Sequence, residues 1–180
     1  YSEIDHHGTM TLPALINYFQ DCSTFHSESV GLGMDKLKEK KKAWVLSYWQ
    51  VVVERFPKLG EHIEIGTFPT EFKGLYGNRN FFMKDGEGKQ IACANYIWVF
   101  MDLEKGRPAR PDKEDIEPYG TEEPLAMAYE DRKIKIPENC ESLTSFQVRK
   151  FHIATHEHVN NCQYVQNALA ITTENVHLLQ

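Results

Sequence analysis

No stretch of this sequence is apolar for long enough to cross a membrane. The longest candidates, Trp44 to Val53 and Ile91 to Met101, are short and broken by polar residues, whereas a spanning helix needs about 20 apolar residues. Positive charge is also in short supply: 20 Lys and Arg stand against 26 Asp and Glu, a net charge of -6. That balance argues against a nucleic-acid partner, whose affinity would come mainly from clustered Lys and Arg that release counterions. Cysteine is scarce and scattered. Cys22, Cys93, Cys140 and Cys162 include no Cys-x-x-Cys pair and no His at zinc-ligand spacing, so reduced thiols in a cytoplasmic protein are the expectation. The sequence opens on Tyr1 rather than Met and carries no charged-then-apolar leader. Secretion is therefore not expected, and the natural N-terminus is expected upstream.

What is present is an ordinary globular composition, 41% hydrophobic and 26% charged over 180 residues, enough to build a packed core. Leu12, Leu15, Ile16, Phe19, Cys22 and Phe25 recur at three- and four-residue steps, which predicts a helix over Thr11 to Val30 burying one face. Thr9 or Thr11 can cap its start, Pro13 suits the first turn, and Gly31 and Gly33 stop it. The charged run from Asp35 to Lys42 reads as a solvated linker. From Ala43 the period changes to two, predicting strands over Ala43 to Phe56 and Glu61 to Phe72. Segments Gly77 to Lys84 and Lys89 to Asp102 flank Asp85-Gly86-Glu87-Gly88 and predict a hairpin whose glycines take positive backbone angles.

One amphipathic helix followed by long strands predicts an α+β protein in which an antiparallel sheet wraps around that helix. Beyond Glu104 the recurrent prolines interrupt regular structure as far as Asn139. After that extended connection, Leu143 to Phe151 reads as a strand and Asn160 to Ala170 as a helix. Laying Ile4 on Ile153 puts His7 on His156 and Thr9 on His158, with a periodic helix after each copy. Two such strand, polar-loop, helix units suggest a duplicated domain. The expected division is a first domain over 1–120, a linker over 121–142, and the start of a second domain over 143–180.

The densest chemistry lies between His152 and Asn161, where a strand hands over to a helix. Three histidines and a glutamate could bind a metal, but His152 and His156 precede the helix rather than sharing one of its faces. The structural alternative is a polar loop whose Asn160 or Asn161 caps the helix. The functional alternative is thioester hydrolysis. A His near neutral pKa can deprotonate water, while N–H groups at a helix start can meet the developing oxyanion.

His158-Val159-Asn160-Asn161-Cys162-Gln163-Tyr164 resembles the His-Val-Asn-Asn-x-x-Tyr element of the acyl-carrier-protein thioesterases, the plant and plant-like bacterial enzymes of the double hotdog fold. The strand start Ala43-Trp44-Val45-Leu46 and the run Ile97 to Asp102 followed by Arg107-Pro108 resemble the first hotdog domain of that family. The resemblance implies hydrolysis of fatty acyl-carrier protein to free fatty acid in fatty acid biosynthesis, with no cofactor and no metal. It implies that His158 is the catalytic histidine. His156 stands where the family has Asn, and Ala154 where it has Asp. Asn160 and Asn161 are expected to support the loop, and the remaining catalytic residue is expected in a strand beyond Gln180.

The resemblance also makes Phe19, Phe81 and Trp98 candidates to line an acyl pocket. Lys38, Lys40, Lys41 and Lys42 are candidates to receive an acidic carrier protein bearing acyl-phosphopantetheine. Neither nucleic acid nor membrane is an expected partner. A homodimer is an open expectation, because unpaired sheet edges invite association. The alternatives retained are an acyl-coenzyme A thioesterase of the same fold class and an acyl-binding homologue whose catalysis is impaired by Ala154.

Overall fold

The computed structural model describes residues 1–139, 145–154 and 158–171. The predicted helix is α1, Leu12–Ser29, with Thr11 as its cap: Ala14 N donates to Thr11 Oγ1 at 3.3 Å, and Pro13 stands in the first turn. The charged run is not a linker throughout. Met34–Glu39 forms a short helix, α2, whose opening turn is closed by Glu28, the carboxylate of which accepts from Met34 N at 2.9 Å.

Four long strands follow: β1 Lys42–Val53, β2 Ile63–Lys73, β3 Tyr76–Asp85 and β4 Gln90–Asp102. They pair antiparallel in the order β1-β4-β3-β2, and β5, Arg107–Pro108, adds a short pairing to β4. The β3–β4 hairpin turns on Gly88, at φ 82, where a left-handed backbone is needed. Gly86 does not share that angle, a departure from the expectation for both glycines. A bulge between Leu46 and Tyr48 changes the side-chain parity of β1. Consequently Leu46 and then Trp49, Val51 and Val53 all pack on the core.

Leu15 and Phe19 of α1 seat against Phe81, Met83, Ala94 and Tyr96 on the inner face of the sheet. The Phe19 and Phe81 rings are centred 5.2 Å apart and neither residue is exposed, so burial of this stripe is the main stabilising term for the helix. The chain then makes α3, Lys113–Ile116, and crosses the outer face of the sheet. Buried Asn80 holds that crossing: its Oδ1 accepts from Leu125 N at 3.0 Å and from the Tyr129 hydroxyl at 2.9 Å. Gln50 grips the same segment through Ala128 O at 2.8 Å and Glu130 N at 3.0 Å.

The strand expected over Leu143 to Phe151 is absent from its described part. Residues 145–149 have no regular structure, and Lys150–His152 forms one 3-10 turn; no strand among the described residues offers it a partner. The last helix is α4, Asn161–Ile171.

Candidate active site

The two loop-helix units share one hydrogen-bond pattern. In the first, Ile4 bridges Met10, Asp5 N donates to Thr9 O at 2.8 Å, and Thr11 N donates to Glu3 O at 3.0 Å. In the second, Ile153 bridges Val159, Ala154 N donates to His158 O at 2.8 Å, and Asn160 N donates to His152 O at 2.9 Å. Each loop ends on a capping side chain. Asn160 Oδ1 accepts from Cys162 N at 2.9 Å, as Thr11 does for α1.

The units differ at the first loop position. Asp5 accepts from His7 N at 2.9 Å and Thr9 N at 3.0 Å, and the bond from Thr9 holds its carboxyl below the ordinary range despite some desolvation. Ala154 has a methyl group there and can accept nothing. His158 is exposed, and its Nδ1 lies 3.2 Å from Val159 O. His156 lies outside the described residues.

α4 docks its first turn on the first turn of α1, where Cys162 Sγ donates to Pro13 O at 3.2 Å. That docking sets the His158 loop beside an open cavity of about 720 Å³ between α1, the inner face of the sheet and the loop, a size that suits a small-molecule ligand. Ala154, His158, Asn160 and Asn161 line one part of its wall, and Leu32, Leu46, Trp44, Phe72 and Trp98 supply much of the apolar surface. A smaller cavity of about 250 Å³ shares Leu46, Asn161 and Tyr164 with it.

Of the expected acyl-pocket residues, Trp98 lines the cavity, whereas Phe19 and Phe81 are fully buried in the core beside it. Gln20 and Arg79, which no motif singles out, also line it. Among the described residues, Gln20 Nε2 and Trp98 Nε1 are buried donors with no acceptor, so both are available to an oxygen of a bound ligand.

Arg79 is a buried guanidinium whose pKa burial pulls down to about 10. Its Nη1 donates to His26 Nδ1 at 2.9 Å and to Thr67 Oγ1 at 3.3 Å, and the Tyr119 ring lies 5.5 Å away. A guanidinium can only donate, so His26 accepts as a neutral ring. Burial first, and the Arg79 charge second, lower the His26 pKa accordingly.

Most of the lysine run is already paired. Lys40 meets Asp115 at 2.6 Å and Glu114 at 2.7 Å, Lys41 meets Glu104 at 2.5 Å, and Lys42 meets Asp102 at 2.7 Å. Lys38 is exposed and has no acidic partner among the described residues. No cluster among the described residues could hold a metal ion.

A long helix packed on the inner face of a four-stranded antiparallel sheet, with a ligand-sized cavity along the helix, defines an α+β protein of the hotdog fold. The chain belongs to the acyl-ACP thioesterase family: the family model described as the Acyl-ACP thioesterase N-terminal domain matches residues 1–119. An acyl-ACP thioesterase structure from Bacteroides thetaiotaomicron superposes with a TM-score of 0.85 at 26% identity, over 96% of this chain and 70% of that one. The 12:0-ACP thioesterase of Umbellularia californica has the same fold, with a TM-score of 0.75 at 21% identity over 92% of this chain and 69% of that one. The palmitoyl-acyl carrier protein thioesterase of Cuphea hookeriana is 25% identical over 179 residues, covering 91% of this chain and 42% of that protein. The chain thus spans about two-fifths of the length of such curated relatives.

Proposed function

We propose that this chain binds the fatty acyl group of an acyl-carrier protein and hydrolyses its thioester to the free fatty acid and the carrier thiol, in fatty acid biosynthesis. The observation that carries this reading is the cavity along α1, apolar over much of its wall and lined at one side by His158, Asn160 and Asn161. The acyl chain lies against Trp44, Leu46, Phe72 and Trp98, and the thioester lies at the His158 loop. His158 serves as the base that activates water, and the repeated loop geometry supports reading the segment from 143 as the opening of a second hotdog repeat. No cofactor or metal is needed for this chemistry.

The carrier protein is the proposed partner, and Lys38 is the residue of the lysine run left to meet it. A cytoplasmic location is supported by the free thiols of Cys22, Cys93 and Cys162, and no helix among the described residues is long and apolar enough to cross a membrane. The test is thiol release from matched acyl-carrier protein and acyl-coenzyme A substrates by the full-length protein. His158→Ala should lower turnover by roughly a hundred- to ten-thousandfold with the fold retained. Full turnover without His158 overturns the catalytic assignment, and preference for the coenzyme A substrate overturns the choice of carrier protein.

A further inference from the structure

A guanidinium buried without a countercharge stands in the wall of the cavity. Arg79 of β3 lines it and is only 7% exposed. The other buried charged residues among those described, Asp102 and Asp115, are each paired with a lysine. Arg79 forms no ion pair with any described acid. The groups that act on it electrostatically are the Tyr119 phenol and the Cys22 thiol, both held neutral at pH 7 because burial pushes their pKa values up. Asp21, the carboxylate among the described residues of the cavity wall, is exposed and does not act on Arg79. A buried charge left uncompensated is strongly destabilising.

The guanidinium is nevertheless held in one orientation. Nη1 donates to His26 Nδ1 at 2.9 Å and to Thr67 Oγ1 at 3.3 Å, and the Tyr119 ring that faces it is fixed by a hydroxyl bond to Ser27 Oγ at 3.0 Å. These partners bring no negative charge. They leave Nε and Nη2, the edge that grips a carboxylate through two bonds, without an acceptor among the described residues. Two further donors are orphaned in the same wall. Arg79 pairs with Tyr96 across the β3–β4 ladder, which sets Trp98 diagonally beside it, about 7–8 Å away on the same face and within reach of long side chains. Trp98 Nε1 is buried with no acceptor, and so is Gln20 Nε2, about two turns before His26 on α1. The hydroxyls nearby are already occupied: Ser23 and Thr24 donate to Gln20 O at 2.8 and 3.0 Å, and Ser27 donates to Ser23 O at 3.0 Å.

We propose that Arg79 forms a carboxylate-binding subsite in this cavity, and that the substrates it selects are acyl thioesters with a carboxylate at the end of the chain remote from the thioester, that is, monothioesters of aliphatic dicarboxylic acids. This rests on the thioesterase reading above. The α4 contact at Pro13 sets the His158 loop at the first turn of α1, whereas His26, which holds Arg79, lies in the last turn, roughly 20 Å further along the helix. The chain is therefore held at both ends, the thioester at the His158 loop and the carboxylate at Arg79. A carboxylate supplies what the wall lacks, a countercharge for the guanidinium and lone pairs for orphaned N–H groups. A methyl end supplies neither, and a site built around buried donors rejects the analogue without acceptors. A hydroxyl end accepts a hydrogen bond but leaves the charge unbalanced.

The test measures thiol release by the full-length protein from carrier-protein thioesters of octanoyl, dodecanoyl and hexadecanoyl chains and of octanedioyl, dodecanedioyl and hexadecanedioyl chains, with ω-hydroxydodecanoyl as a neutral oxygenated control. At the best length the wild-type protein should favour the ω-carboxy chain by at least about tenfold in kcat/KM. Arg79→Met, which keeps an apolar stem, should reverse that preference, and Trp98→Phe, which removes only the N–H donor, should reduce it by about three- to tenfold. Calorimetry in parallel compares binding of dodecanamide and of dodecanedioic acid monoamide, in which the amide stands in for the thioester. The monoamide should bind at least about tenfold tighter to the wild-type protein and lose that advantage in Arg79→Met. Should Arg79→Met melt below the assay temperature, the wild-type preference and its reduction in Trp98→Phe decide. Equal treatment of the two chain ends, a preference for the methyl end, or a carboxylate preference that survives in folded Arg79→Met overturns the proposal, as does a preference for ω-hydroxydodecanoyl over dodecanedioyl. If thiol release depends on His158 but methyl-ended chains are favoured, the thioesterase reading stands and this inference alone falls. If no substrate releases thiol while the monoamide binds tighter through Arg79, the thioesterase reading falls and the carboxylate subsite stands.

Discussion

Cys162 Sγ donates to the carbonyl oxygen of Pro13 at 3.2 Å, so the first turn of α4 rests directly on the first turn of α1. The contact joins residues far apart in sequence and brings the His158 loop against the helix that forms the floor of the cavity. Burial pushes the Cys162 thiol up to about 11 from an ordinary 9.0. A shift of that size leaves about a hundredfold less thiolate at neutral pH, and the thiolate is the reactive form. Iodoacetamide labelling followed by peptide mass spectrometry should therefore find Cys162 modified at least about a hundredfold more slowly in the native protein than in the unfolded one. Equal rates would mean that α4 does not dock.

The Arg79–His26 pair makes a prediction about acid. The folded protein lowers the His26 pKa below its ordinary 6.5, so the unfolded chain binds a proton more readily and stability rises with pH. The contribution is fully present above 6.5 and is lost as pH falls below that value, when an imidazolium would face the Arg79 guanidinium. Melting temperature should decline on acidification from pH 7 to 5, and His26→Gln, which keeps an acceptor for Arg79, should flatten that decline. An unchanged slope in the variant would assign the pH dependence to another group.

Asp102 governs a lower range. Its hydrogen bond to Lys42, reinforced by Lys105 N, brings its pKa from 3.8 down to about 2. The stability it provides is present above 3.8 and disappears as pH falls through 2. Asp102→Asn should therefore narrow the gap in melting temperature between pH 4 and pH 2, a comparison readable by circular dichroism.

The proposed carrier docking can be tested apart from these ion pairs. Lys40, Lys41 and Lys42 cannot be replaced without disturbing Asp115, Glu104 and Asp102, whereas Lys38 can. Lys38→Glu should raise KM for an acyl-carrier protein by about two- to fivefold, the scale of one surface charge. It should leave KM for a free acyl-pantetheine thioester unchanged, with the difference fading as salt is added. Equal effects on both substrates would remove the docking role.

Asn80 should hold the crossing segment in place. It also donates to Asn95 Oδ1 at 3.2 Å and Ala94 O at 3.4 Å, and it has no exposed surface. Asn80→Leu leaves half-buried Leu125 N and buried Asn95 Oδ1 without this partner, a cost of roughly 1–3 kcal/mol for the buried oxygen. Limited proteolysis should then cut between Leu125 and Tyr129 faster than in the parent, and an unaltered digestion pattern would assign the anchoring to Gln50.

The fold was readable where one physical pattern dominated. α1 announced itself through the three- and four-residue spacing of Leu12, Leu15, Ile16 and Phe19, and the hairpin through Asp85 to Gly88. α2 was hidden because a charged turn looks the same in a linker and in a short helix fastened by a distant cap such as Glu28. The Leu143 to Phe151 segment misled in the opposite sense, since apolar alternation describes a willing strand without guaranteeing a neighbour for it. His158, Asn160 and Asn161 were legible from one short motif. Asp21, Gln20 and Arg79 were not, because polar residues recur along α1 and β3 and these three stand out only when α1, β3 and the His158 loop meet around one cavity.

The strap across the outer face of the sheet also bears on how the two loop-helix units find each other. Asn80 and Gln50 hold the chain as far as Glu130, so a shorter tether connects the sheet to the His158 loop than the sequence distance from Tyr119 suggests. Closing a shorter tether costs less entropy, though only by about 0.6 kcal/mol for each halving of its length. The larger consequence is one of mass action: both units ride on a single polypeptide, so bringing Gln20 and His158 to one cavity is a unimolecular event. Its completeness is set by tether geometry and is independent of dilution.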